Sequence, residues 1–170
     1  MYELVILVLD ICRFRKGPQD IPYSYNLFQL LLGISAGLNF LMLAMQTSWL
    51  SALMQTLVAI LLICGFSGFI LYFFRKSARF YQTTCAFLGA DALIDFFALP
   101  AVATMTLNQG GLLVLLVFLG LIVWHWAITG YILSNALEKS LSFSLGLAFL
   151  YLFASYQVMA LLFPEISGVK

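Results

Sequence analysis

FYQTTCAFLGADALIDFFALPAVATM, residues 80–105, is an apolar segment long enough to cross a bilayer that nevertheless carries two carboxylates, Asp91 and Asp95. Spaced four residues apart, they share one face of a helix. A carboxylate near the bilayer centre costs at least about 2.5 kcal/mol on insertion scales, so a membrane helix bearing two has to aim them at protein, water or a partner. The other segments are placed around that demand.

Composition puts the chain in a membrane. Of 170 residues, 64% are hydrophobic and 9% charged, far from the roughly 25% charged residues of soluble domains, and the mean hydropathy is +1.05. A formal charge of +1 excludes a generally basic surface and with it nucleic acid as a partner. Cys12, Cys64 and Cys85 stand at no metal-ligand or CxxC spacing. They read as small buried hydrophobes, with no disulfide expected. No cleavable signal peptide is expected from MYELVILVLDICRFRKG, because its basic residues follow the apolar run.

Outward from the opening stretch, five segments have the length of a helical crossing: residues 25–45, 49–74, 80–105, 112–133 and 141–163. The links between them are short, which makes neighbours antiparallel and leaves no room for a soluble domain. The expected fold is therefore all-α, a single transmembrane domain over residues 25–163, with a short C-terminal tail at 164–170. Residues 1–14 are too short to span, and Glu3, Asp10 and Arg13 gather on one helical face. That pattern predicts an amphipathic helix lying in the membrane interface, ended by Gly17 and Pro18 and joined to the first span by an extended linker, so that residues 1–24 form one N-terminal region. With five crossings, seven of the eight Lys and Arg residues fall on the side of the N-terminus and one, Lys170, on the other. The expectation is a cytoplasmic N-terminus and an outer C-terminus. Aromatic residues near the segment ends, Tyr23, Tyr25, Trp49, Tyr72, Tyr81, Tyr131 and Phe163, read as interfacial anchors.

Gly33 and Gly37 form a GxxxG in the first span, with Ser35 and Asn39 beside it. Such a face lets two backbones approach closely, either within the bundle or between two copies. Gly65, Gly68, Ala86, Ala90 and Gly146 offer comparable flat patches, and Pro100 is expected to bend the outer end of the third span.

Counting from the turn at residues 108–111 places Asp91, Asp95 and His125, the one histidine, at similar depth in a hairpin of the third and fourth spans. A carboxylate–imidazole contact is thus available. Two carboxylates a turn apart in low dielectric do not both ionise, and a charged His125 helps its neighbour release a proton. Three readings stay open: packing glue, a proton or cation relay, and recognition of a partner helix or lipid headgroup. A metal site ranks below these, since no second histidine or HExxH spacing exists. No cofactor is expected, no GxSxG, Walker A or dinucleotide glycine pattern is present, and no nucleophile stands beside the cluster.

The five-span layout, the small-residue run LGADALIDFFALPAV with its proline, the tryptophan-containing LIVWHWAITGYILSNALEKSL and the opening FRKGPQDIPYS together resemble a short bacterial member of the Yip1 family. The resemblance implies a multi-pass protein of the bacterial inner membrane. Eukaryotic relatives are associated with Rab GTPases and vesicle traffic through longer cytoplasmic N-terminal regions, and residues 1–24 stand in that place here. The leading expectation is a non-enzymatic scaffold, assembly factor or accessory subunit whose partners are the lipid bilayer and another membrane protein or itself. The alternative is a small proton- or cation-coupled transporter or channel component using Asp91, Asp95 and His125, with an intramembrane lipid-modifying enzyme behind both.

Overall fold

The computed structural model describes residues 2–107 and 111–164, with the backbone alone at Tyr2. Met1, Lys170, the hairpin tip at 108–110 and all but the first residue of the expected tail lie outside them. Among the described residues there are six α-helices and no strand: α1 (Tyr2–Cys12), α2 (Tyr25–Ala44), α3 (Trp49–Phe73), α4 (Phe80–Thr106), α5 (Leu112–Leu137) and α6 (Leu141–Leu162). Helices α2 to α6 are long and apolar enough to cross a membrane.

Local chemistry sets most of the boundaries. Ser24 and Ser48 cap α2 and α3, their hydroxyls accepting from the backbone N–H groups of Leu27 and Ser51 at 3.4 Å each, which satisfies donors that a helix start leaves free. Helix α5 runs four residues past the expected 133. Its polar Ser134 and Asn135 do not end it, because both side chains donate back to the Tyr131 carbonyl at 2.9 Å. It stops at Glu138, in the left-handed region at φ 55°. Pro100 sits inside α4, which continues through it to Thr106.

Helix α4 is the axis of the bundle. It packs against α1, α2, α3 and α5, while α6 lies on α5 and more lightly on α3. Residues 83–90 of α4 are buried without interruption, and Ala86 and Ala90 serve as the flat patches expected of them. The outside of the bundle is the reverse of a soluble protein's. Leu61, Phe69, Leu112, Leu113 and Leu161 are each about 70–80% exposed, an apolar girdle that water-soluble monomers do not carry and hydrocarbon accepts.

Helix α1 is present where expected, with Glu3 and Arg13 exposed. Its other face docks on the bundle instead of standing free: Ile11 and Cys12 are 1% exposed, and Trp124 Nε1 donates to the Cys12 carbonyl at 3.1 Å. Gly89 makes this approach possible, since a Cβ there would sit 2.9 Å from Val8 Cγ2. Burial, with a contribution from the Asp91 charge, pushes the Cys12 thiol up to about 12. It is a packing group that stays protonated at neutral pH.

A charged clamp ties the basic ends of the helices together. Glu138 bridges Lys76 Nζ and Arg79 Nη2 at 2.6 Å each, and Arg79 Nη1 also donates to the Ala136 carbonyl at 3.2 Å at the end of α5, where a cation opposes the helix dipole. Hydrogen bonds from Lys76 and Arg79 hold the Glu138 carboxyl below its ordinary value of 4.5. A depressed carboxyl contributes stability above its unfolded-state value and loses it as pH falls through the folded one. Glu138→Gln is therefore expected to lower the melting temperature at pH 7 in low salt, with the difference from the parent closing as pH falls through the lowered Glu138 value and in high salt. Equal melting temperatures at pH 7 in low salt would show that the clamp is idle.

Candidate functional site

The sequence-predicted cluster assembles across the α4–α5 hairpin. Asp91 leaves α4 eleven residues from its start and meets His125 of α5, Oδ1 to Nε2, at 2.9 Å; the side chains are 20% and 29% exposed. One turn further along α4, Asp95 accepts from Asn39 Nδ2 of α2 at 3.4 Å. The Asn39 carbonyl oxygen in turn accepts from Thr56 Oγ1 of α3 at 3.3 Å, and that hydroxyl also bonds the Ala52 carbonyl at 2.9 Å. Two sets of polar contacts thus leave α4 one turn apart, from Asp91 to α5 and from Asp95 to α2 and on to α3. Among the described residues no cation lies within ion-pair distance of Asp95, whose hydrogen-bond partner is the Asn39 amide where Asp91 has an imidazole.

Asn39, Asp91, Asp95 and His125 line a cavity of about 190 Å³. All five long apolar helices contribute to its wall: Ser35 and Asn39 from α2, Ile63 from α3, Asp91 and Asp95 from α4, His125 from α5, Tyr151 and Ser155 from α6. Phe96, Leu93 and Trp124 are bulky apolar side chains near the cluster in sequence. They do not line the cavity: Phe96 is 58% exposed, and with Leu93 it borders a separate apolar recess against α1. Trp124 bonds α1, as described above, and Trp126 Nε1 donates to the Leu145 carbonyl of α6 at 2.9 Å. The two indoles therefore hold both flanks of His125 by backbone carbonyls, which fixes the imidazole's place on α5.

The glycine pair is placed differently from one of its two expected uses. Gly33 and Gly37 are exposed, and an added Cβ at either would meet nothing within 4 Å. They do not pack inside this bundle, because α2 buries the stripe Leu27, Leu31 and Ser35 instead, which turns both glycines to the outside. Gly65 and Gly146 are likewise open. The close helix contact is made by a glycine not singled out above: a Cβ on Gly130 would stand 2.6 Å from Leu145 Cδ2 and 3.2 Å from Leu145 Cα.

Chemically the site holds two carboxyl groups, an imidazole, an amide and three hydroxyls around a space several waters in size. It can exchange protons and accept a cation. Among the described residues no three His, Cys, Asp or Glu side chains converge closely enough to hold a metal ion. Comparison with protein-family models, with curated proteins and with solved structures gives no match to this chain.

Proposed function

We propose that this chain is a non-enzymatic inner-membrane protein, N-terminus in the cytoplasm, that handles protons or a monovalent cation at Asp91, Asp95 and His125, as a small carrier or a channel component. One observation carries the reading: the intramembrane carboxylates, besides joining α4 to α5 and to α2, border a cavity at which five helices meet. Ionisable groups inside a membrane are costly, and those lining a cavity mark ion and proton paths. Asp91 with a protonated His125 is neutral as a pair, which leaves Asp95 as the group that a proton or a cation can occupy in turn.

The scaffold or accessory-subunit reading keeps one observation of its own, the outward GxxxG of Gly33 and Gly37, which suits close contact with a second copy or another membrane protein. The Yip1-family resemblance is compatible with either. The two readings separate in proteoliposomes. With Asp91→Asn and Asp95→Asn, separately and together, the expected result is an intact, normally melting bundle that has lost a pH-dependent cation flux shown by the parent. A bundle that loses stability without any parental flux to lose would favour the scaffold.

A further inference from the structure

The polar cavity has an apolar neighbour. On the outer side of the α3–α6 seam lies a groove of about 430 Å³, bordered by Leu61, Gly65, Phe69, Leu147, Leu150 and Val158. Leu62, Tyr151 and Ser155 line both spaces. From Leu147 to Val158 the groove follows twelve residues of α6, about 16 Å over the eleven steps of 1.5 Å between them. At the junction, the Tyr151 ring stacks on Phe66 with centroids 4.2 Å apart.

Each space suits half of a ligand. A hydrated inorganic ion gains nothing from a groove open to hydrocarbon, and a neutral apolar molecule gains nothing from carboxyl groups. A molecule with a cationic head and one apolar tail uses both. Its head would reach Asp95, which no cationic side chain pairs within ion-pair distance among the described residues, and the stacked Tyr151 and Phe66 rings at the neck would add cation–π attraction. Its tail would replace lipid along α3 and α6 without further cost, since the groove already faces the acyl chains.

We infer that cavity and groove form one site, which takes a single-tailed amphipathic amine laterally from the bilayer, ammonium toward Asp95 and tail along the α3–α6 seam. The inference rests on the cation reading of the same cluster and names its substrate class.

The test uses the full chain in nanodiscs, with radiolabelled decyltrimethylammonium as probe, empty nanodiscs as background and sodium as competitor. Expected are saturable binding above background, its loss in Asp95→Asn, and a marked loss in Gly65→Leu and in Ala154→Leu, whose new side chains fill the groove that the tail would occupy. Both groove variants are expected to fold, because a Cβ at Gly65 meets nothing within 4 Å and Ala154 is exposed; unchanged melting temperatures check this. If both groove variants bind like the parent while Asp95→Asn does not bind, the lateral site is overturned and the cation reading stands. Sodium binding at the carboxylates with no saturable alkylammonium binding overturns it equally. Parental binding in Asp95→Asn brings down both.

Discussion

Gly130→Ala is expected to destabilise the bundle by about 1–3 kcal/mol, the range for forcing extra atoms into a packed contact, whereas Gly146→Ala on the facing helix is expected to be neutral or slightly stabilising. The contrast follows from what each new methyl group meets. At Gly130 it would press on Leu145 at 2.6 Å from Cδ2 and 3.2 Å from Cα. The side chain can turn away, but the backbone cannot, so α5 and α6 must part by some tenths of an ångström. That parting also stretches the bond from Trp126 Nε1 to the Leu145 carbonyl, now 2.9 Å, in the same stretch of the interface. At Gly146 the methyl group enters open space, and alanine is the better helix former by about 1 kcal/mol. Thermal melts in one detergent or nanodisc composition, followed by tryptophan fluorescence, compare the two; equal melting temperatures would mean that α5 and α6 do not depend on this close approach.

His125→Leu is expected to be the most damaging change in the site. It removes the imidazole that meets Asp91 at 2.9 Å and replaces it with a side chain that cannot donate. Breaking a fully buried charge pair costs about 3–5 kcal/mol. This pair borders a cavity and keeps 29% and 20% of its side-chain surface, so the expected loss is nearer the 1–3 kcal/mol of an orphaned polar group. His125→Gln keeps a donor within reach of Asp91 and is expected to restore most of the stability. It cannot carry a proton, and the pH dependence of cation binding is expected to weaken with it. Stability and titration thus come apart in this pair of variants; a Gln variant that kept the full pH dependence would remove His125 from the mechanism.

The spans were readable because a bilayer demands about twenty apolar residues and short links force antiparallel neighbours. The Asp91–His125 contact was readable for the same reason, as α4 and α5 are consecutive and counting from their turn sets a common depth. Beyond consecutive helices the sequence is silent on who faces whom. Asn39 stood in view as part of a polar stripe, but its bond to Asp95 joins α2 to α4, helices that α3 separates in the chain. Thr56, Tyr151 and Ser155 entered the site unannounced; a hydroxyl in mid-span was their one available signal. Of the two contacts open to the GxxxG, the one within the bundle is not made, because small residues permit a close approach without specifying a partner and the stripe ending in Ser35 takes the inner face of α2. Gly130 carried no motif at all. Its importance comes from the α6 backbone opposite.

The central claim is that the carboxyl groups of α4 face a space that protons and a cation can reach in turn. Infrared difference spectroscopy on the chain in nanodiscs reads this directly through the carbonyl stretch of protonated carboxyl groups. The predicted result is a band that decreases when decyltrimethylammonium is added at constant pH, and that is absent from the difference spectrum of the Asp91→Asn, Asp95→Asn double variant. A parent spectrum that does not respond, to that cation or to sodium, would contradict the account.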